Sequence, residues 1–161
     1  MSDGSRAVVL ASTDGDWAEV RRLIRAYLDS LGFDIGFQGL DPELADPAGS
    51  YGPPSGAALL ARDADGAAVG FTGVRPFDVS RSVAELKRMY VEPAWRGAGL
   101  GRALGEAAIT EARRLGHRRL LLDSRASLVA ACALYRRLGF VDVPPYRQNP
   151  FPDAVFPALD L

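Results

Sequence analysis

The sequence predicts an α/β (α+β) fold with a mixed, mainly antiparallel central sheet and helices on both faces. Three observations carry that expectation. Two apolar runs, Ala57 to Arg62 and Ala67 to Val74, are separated by Asp63-Ala64-Asp65-Gly66, a strong hairpin signal. A third run, Val83 to Val91, follows across a short loop and extends the pair into a meander. The third strand then leads through Glu92-Pro93-Ala94-Trp95 and a glycine-rich turn into a helical pattern, with Leu100, Leu104, Ala107, Ala108, Ala112 and Leu115 on one face.

At 161 residues, 48% hydrophobic and 24% charged, the chain suits one domain spanning residues 1–161 with a core of its own. A net charge of −1 gives no global reason for nucleic acid or an anionic membrane as partner. No apolar run approaches a membrane span, and the amino end lacks the basic-then-apolar layout of a signal peptide. Cys132 is the single cysteine, so no internal disulfide can form, and the cytoplasm is the expected compartment.

Taken in order, Met1 to Arg6 reads as a loose end and Ala7 to Ala11 as a short buried strand. Asp14-Gly15-Asp16 opens a helix, with Asp16 and Glu19 in capping-box spacing. Trp17, Val20, Leu23, Ile24, Tyr27, Leu28 and Leu31 form its apolar stripe, and Gly32 ends it. Phe33 to Pro54 reads as loop with one short helix around Pro42 to Ala45; Phe33, Phe37 and Tyr51 either line a pocket or pin the loop to the core. After the central helix, Arg119 to Asp123 predicts a strand, Leu128 to Leu138 a helix closed by Gly139, and Phe140 to Val143 another strand. Ala154 to Leu161 predicts a final strand, with Pro157 placing it at an edge or bulge.

The glycine-rich turn has a physical use. A helix start leaves amides unpaired with partial positive charge, and glycine lets an anion approach the backbone closely. Gly97, Gly99 and Gly101, flanked by Arg96 and Arg102, suit a diphosphate. No G-x-x-x-x-G-K-[ST] string occurs. A dinucleotide fingerprint fails too: Arg102 stands at the third glycine and the loop from Glu92 to Arg96 delays the turn, although Asp123 lies where a ribose-binding acid would fall.

What remains is R-x-x-G-x-G at Arg96, Gly99 and Gly101, followed by A-x-x-L-Y-x-x-x-G-F from Ala131 to Phe140. With these two motifs in this order, the chain resembles the GNAT (GCN5-related) superfamily of acyl-coenzyme A-dependent N-acetyltransferases. The resemblance implies a GNAT-like sheet that splays after the strand ending at Val91 and admits acetyl-CoA as cosubstrate, with no metal. It implies that the amides of Gly97, Ala98, Gly99, Leu100, Gly101 and Arg102 hold the diphosphate beside Arg96, and that backbone donors around Met89, Tyr90 and Val91 face the acyl group. It implies that Tyr135 protonates the departing thiolate; the residue-level alternative is a core tyrosine satisfied locally. Glu85, eleven positions before Arg96, stands where some members carry a catalytic glutamate. It is read equally as a base, as a positioner of an ordered water, or as a structural partner of a nearby cation. Leu128 replaces an asparagine frequent in the family seven residues before the tyrosine, with Ser124 and Ser127 as stand-ins.

The expected reaction moves an acetyl group from acetyl-CoA to the primary amine of a small molecule within a ternary complex. A protein lysine or amino terminus is the alternative acceptor, and a non-catalytic acyl-CoA sensor the alternative of another class. The family often forms homodimers. Lys87, Arg88 and Arg75 are candidate grips for an acceptor anion, although strand alternation puts Lys87 and Arg88 on opposite faces. His117 reads as a surface residue and Cys132 as a small helix residue, not a nucleophile. Tyr146 and Asn149 line the acceptor site or belong to a turn.

Overall fold

The computed structural model describes residues 7–36 and 39–161. The loose end expected at Met1 to Arg6, and the role offered to Phe37, lie outside those residues. Strand β1 (Ala7–Leu10) precedes helix α1 (Asp14–Leu31), and two short helices follow, α2 (Leu40–Ala45) and α3 (Pro47–Tyr51). The meander is β2 (Ala57–Arg62), β3 (Ala68–Asp78) and β4 (Val83–Val91), and the central helix is α4 (Leu100–Arg114). Then come β5 (Arg119–Leu121), β6 (Ser124–Arg125), α5 (Val129–Arg137), β7 (Val141–Asp142), β8 (Ala154–Val155) and β9 (Pro157–Asp160).

The main sheet has seven strands in the order β1-β2-β3-β4-β5-β9-β7, antiparallel at every step except the parallel pair β4–β5. Strand alternation sends side chains to two cores. Leu59, Val69, Val74 and Leu86 meet Leu104, Ala108 and Ala112 of α4 and Tyr135 of α5. Leu60, Phe71 and Tyr90 meet Val20, Leu23 and Ile24 of α1 and Tyr51 of α3. Helices thus cover both faces, as predicted.

Several local details differ from expectation. The α1 capping box is made by Thr13 and Asp16, not Asp16 and Glu19: the Thr13 hydroxyl accepts from the Asp16 amide at 3.1 Å and Asp16 accepts from the Thr13 amide at 3.2 Å. Helix α3 occupies part of the expected loop, capped by Asp46 and started by Pro47. The last strand is two strands. β8 pairs with β6 in a separate ribbon, and β9 lies between β5 and β7, so Pro157 is not on an edge strand. It is tolerated as the first residue of β9, where its carbonyl accepts from the Leu122 amide at 3.0 Å.

The largest departure is in β4. Phe71 pairs with Tyr90 but Gly73 pairs with Lys87, so Arg88 and Met89 together face Thr72. That is a β-bulge, and Arg88 adopts φ 61°, a conformation strained for a residue with a Cβ. Its anchor is buried. The Arg88 Nε and Nη2 donate to Glu43 of α2 at 3.0 and 2.8 Å, and the Tyr51 hydroxyl donates to the same carboxylate. The bulge cancels the strand alternation, so Lys87 and Arg88 line one cavity instead of opposite faces.

Burial alone would raise the Glu43 carboxyl, but the hydrogen bonds and charge of Arg88 outweigh it and hold the group below 4.5. A depressed carboxyl contributes stability that is present above its unfolded value and is lost as pH falls through the folded one. Glu43→Gln removes the counter-charge from a buried guanidinium and is expected to cost about 3–5 kcal/mol in urea unfolding at pH 7. The gap between wild type and variant should narrow on acidification below 4.5.

Candidate active site

Strands β4 and β5 run together for three residue pairs only, Val83–Arg119, Ala84–Leu120 and Glu85–Leu121. Beyond Glu85 the bulge turns β4 one way, while Leu122 and Asp123 leave the strand that the sequence predicted would continue to Asp123. The two strands diverge, and a cavity of about 400 Å³ opens between them. Its walls are Leu86 to Val91 of β4, Leu122 to Ser124 past β5, Leu128 to Ala131 and Tyr135 at the start and middle of α5, and Tyr27, Ser30 and Leu31 of α1. Met89, Tyr90, Val91, Arg96 and Tyr135, all singled out from sequence, are brought together here.

At one end of this opening stands the glycine turn. Gly97 and Gly99 have φ of 80° and 82°, so a left-handed path is needed at both, and a Cβ at either would meet only open space. Gly99 is the N-cap of α4 and supplies no side-chain cap, which leaves the first-turn amides of Leu100, Gly101 and Arg102 without intrahelical partners. Arg96 donates from Nε to the Val91 carbonyl at 2.9 Å with its guanidinium 5.7 Å from the centre of the Tyr90 ring, tying the turn to the end of β4. Arg102 is exposed and pairs with Glu106 at 2.9 Å. A turn with open glycines and uncapped amides fits a diphosphate, and the divergent strands beside it fit an extended thioester arm.

Tyr135 is 8% exposed, packs edge-on to Phe140 at 5.9 Å, and lines the cavity. Burial, with lesser contributions from Tyr27, Cys132 and Asp123, pushes its phenol well above the ordinary range, so it keeps its proton at neutral pH. Leu128 lines the cavity with an apolar side chain where the family's asparagine is frequent, and Ser124 stands near it. Cys132 is buried, with Sγ donating to the Arg125 carbonyl at 3.4 Å and its thiol pushed up by burial, the opposite of an activated nucleophile.

Glu85 does not line this cavity; it borders a separate hollow with Arg75 and Phe77. Its carboxylate is 2% exposed and well partnered: Arg75 Nε at 3.3 Å, Arg147 Nη2 at 2.9 Å, the Tyr146 hydroxyl at 2.8 Å and Lys87 Nζ at 4.0 Å. The candidate anion grips are therefore engaged within the protein, Arg88 with Glu43, Arg75 with Glu85, and Lys87 between Glu85 and Asp123. Tyr146 and Asn149 reach into this buried network, Asn149 donating to Asp123 Oδ2 at 3.1 Å. Tyr51 is fully buried, and Phe33 packs edge-to-face on Phe151 with Arg125 over its ring, which pins both ends of the early loop region. His117 is half-buried at the surface, its Nε2 2.8 Å from the Ser55 carbonyl.

Asp123 was missed as a site residue. Its side chain is 1% exposed, 3.5 Å from Lys87 Nζ, and it lies on the cavity wall where the strands part. The signal in the sequence was an acidic residue ending an apolar strand, a pattern shared with any strand terminus.

Comparisons with known proteins identify the family. Residues 17–140 match the model of the acetyltransferase (GNAT) family. An uncharacterized N-acetyltransferase of Schizosaccharomyces pombe is 39% identical over 146 residues, 91% of this chain and 89% of that one. The aminoglycoside N(6')-acetyltransferase type 1 of Stenotrophomonas maltophilia is 40% identical over 112 residues, 63% of this chain and 73% of that one. A Salmonella typhimurium acetyltransferase structure with its cofactor acetyl-CoA superposes with a TM-score of 0.66 over 97% of this chain and 94% of that one, at 24% identity. The chain belongs to the GNAT family of acetyltransferases and is an N-acetyltransferase. Among the described residues, no helix is long and apolar enough to cross a membrane.

Lys87 gives this site a titration of its own. Burial lowers its ammonium to about 8, with Glu85 and Asp123 opposing and Arg88 and Arg75 assisting. Carbon NMR of the Lys87 ε-methylene should show a midpoint near that value, and Asp123→Asn should move it lower.

Proposed function

We propose that the protein transfers an acetyl group from acetyl-CoA directly to the primary amine of a small molecule in the cytoplasm. The observation that carries this reading is the cavity between β4 and β5, which runs alongside an uncapped glycine turn and is lined by a buried, protonated tyrosine. In this reading the amides from Gly97 to Arg102 receive the diphosphate, and Arg96 fixes the turn that presents them. The divergent stretch of β4 supplies backbone donors to the thioester carbonyl. Strand alternation supports this: the Glu92 amide points to Val69 of β3, so the Val91 amide points to the opposite, open edge.

Tyr135 gives its proton to the leaving sulfur. A phenol raised by burial holds that proton firmly until thiolate charge develops beside it, and a thiol is a tolerable leaving group to begin with. The acceptor's proton is lost to a buried carboxylate; sequence spacing singles out Glu85, which borders the hollow beside Arg75. The acceptor is a small molecule in this reading because Tyr27, Ser30 and Leu31 of α1 wall one side of the cavity, with α2 and α3 packed on the same face of the sheet.

Free thiol release from acetyl-CoA, measured against amino acids, polyamines, aminoglycosides and lysine peptides, tests the reading. Saturable release with one of the small amines is the expected result; release with the peptides alone would replace it with protein acetylation. Tight acetyl-CoA binding with no release for any amine would favour a sensor. Tyr135→Phe should lower kcat about 10²-fold with little change in the KM for acetyl-CoA. Gly99→Val, strained at φ 82°, should instead weaken acetyl-CoA binding.

A further inference from the structure

We propose that the acceptor is an amino acid, an amine that also carries a carboxylate, and that Arg75 and Arg147 hold that carboxylate in the hollow beside Glu85. The inference rests on the acetyl-transfer reading given above and names its acceptor class. The hollow has a volume of about 440 Å³, and its walls include Ser50 of α3, Pro54 on the segment that follows, Arg75 and Phe77 of β3 and Glu85 of β4. Lys87, two residues along β4 from Glu85 and on the same face of the strand, lines the transfer cavity. Two residues of extended strand span about 7 Å, so the hollow and the cavity are a few bonds apart.

Arg147, which no sequence motif marks, sits against two of these walls. Its Nη2 lies 2.9 Å from both oxygens of Glu85, and its guanidinium is 5.8 Å from the centre of the Phe77 ring. Its Nε is buried with no hydrogen-bond partner among the described residues. Arg75 reaches Glu85 through Nε alone, at 3.3 Å. A guanidinium carries five N–H donors in a planar fork and keeps its charge at any ordinary pH. Each arginine therefore uses one nitrogen on Glu85 and has donors left. Their side chains are 19% and 21% exposed, so both can be reached by a ligand.

The charge is incomplete in the same place. Arg75, Arg147 and Lys87 surround Glu85, and Lys87 also faces Asp123, so three cations meet two carboxylates. Arg88 is already neutralised by Glu43. One negative charge is lacking. A carboxylate supplies one, a phosphate dianion would reverse the excess, and the further ammonium groups of a polyamine or an aminoglycoside would add to it. Phe77, 41% exposed, and Pro54 give the hollow an apolar side for the methylenes of such an acceptor. The carboxylate takes no part in bond making: the amine nitrogen receives the acetyl group, and the carboxylate stays ionised throughout.

The thiol-release assay tests this with amines paired to their carboxylated counterparts: ethylamine with β-alanine, propylamine with γ-aminobutyrate, and cadaverine with lysine. Aminopropylphosphonate serves as the phosphorus analogue, and acetyl-CoA affinity is measured separately by calorimetry. Within each pair the carboxylated member should be favoured about 10²-fold in kcat/KM, most of it through KM. Arg75→Gln and Arg147→Gln should each cut that advantage about 10-fold. Arg147→Lys, which keeps the charge and loses the fork, should fall between wild type and Arg147→Gln. A general loss of structure lowers both members of a pair alike, so the ratio within the pair reports recognition of the carboxylate.

Equal kcat/KM within the pairs, or a preference for aminopropylphosphonate over γ-aminobutyrate, overturns the inference and leaves acetyl transfer standing. So does thiol release confined to polyamines, aminoglycosides or lysine peptides, and so does an advantage that both glutamine variants retain in full. Should neither variant fold, the wild-type pairs decide alone. Wild-type protein that binds acetyl-CoA yet releases no thiol with any amine overturns the acetyl-transfer reading itself, and the inference falls with it.

Discussion

The site depends on one buried ion pair. Glu43 on a six-residue helix grips Arg88 through two hydrogen bonds, and Arg88 is the residue at which β4 bulges with a positive φ. The bulge falls just beyond Glu85, the last β4 residue that pairs with β5. Energetically this is a specifying contact more than a stabilising one. A buried pair gains little over well-packed apolar residues, but leaving either partner alone is costly, so the pair selects one backbone path among several. An apparently peripheral segment, α2, is thus coupled to the geometry of the cleft.

The fold is mostly legible in the sequence because its signals are local. The Asp63 to Gly66 turn fixes the β2–β3 hairpin, Gly32 ends α1 at φ 70°, and the α4 stripe is a regular helical repeat. The illegible parts depend on partners distant in the chain. Alternation places Lys87 and Arg88 on opposite faces, and only the pairing of Gly73 with Lys87 shows that one residue is extra. Likewise the run from Ala154 to Leu161 reads as one strand until its two halves find β6 and β5.

The site divides in the same way. Residues that act through the backbone or through a motif, such as Gly99, Arg96 and Tyr135, are visible as spacing. Residues that act through a network are not. Glu85, Lys87, Asp123, Tyr146 and Asn149 come from three separate stretches and meet only because β5 pairs with both β4 and β9. Two acids were available to sequence reasoning, and spacing favoured the one that the fold surrounds with cations.

The position of β9 has a consequence for how the molecule is made. β5 has β4 on one flank and β9 on the other, and β7 reaches the sheet only through β9. On a ribosome, the first four strands and both faces of helices can assemble while Pro157 to Asp160 is still inside the exit tunnel. During that interval β5 presents one open edge, and the loop carrying Tyr146 and Asn149 has no fixed end. Such long-range closure is slow and leaves an unpaired strand available to other chains. Catalytic competence therefore waits on the insertion of β9 between β5 and β7.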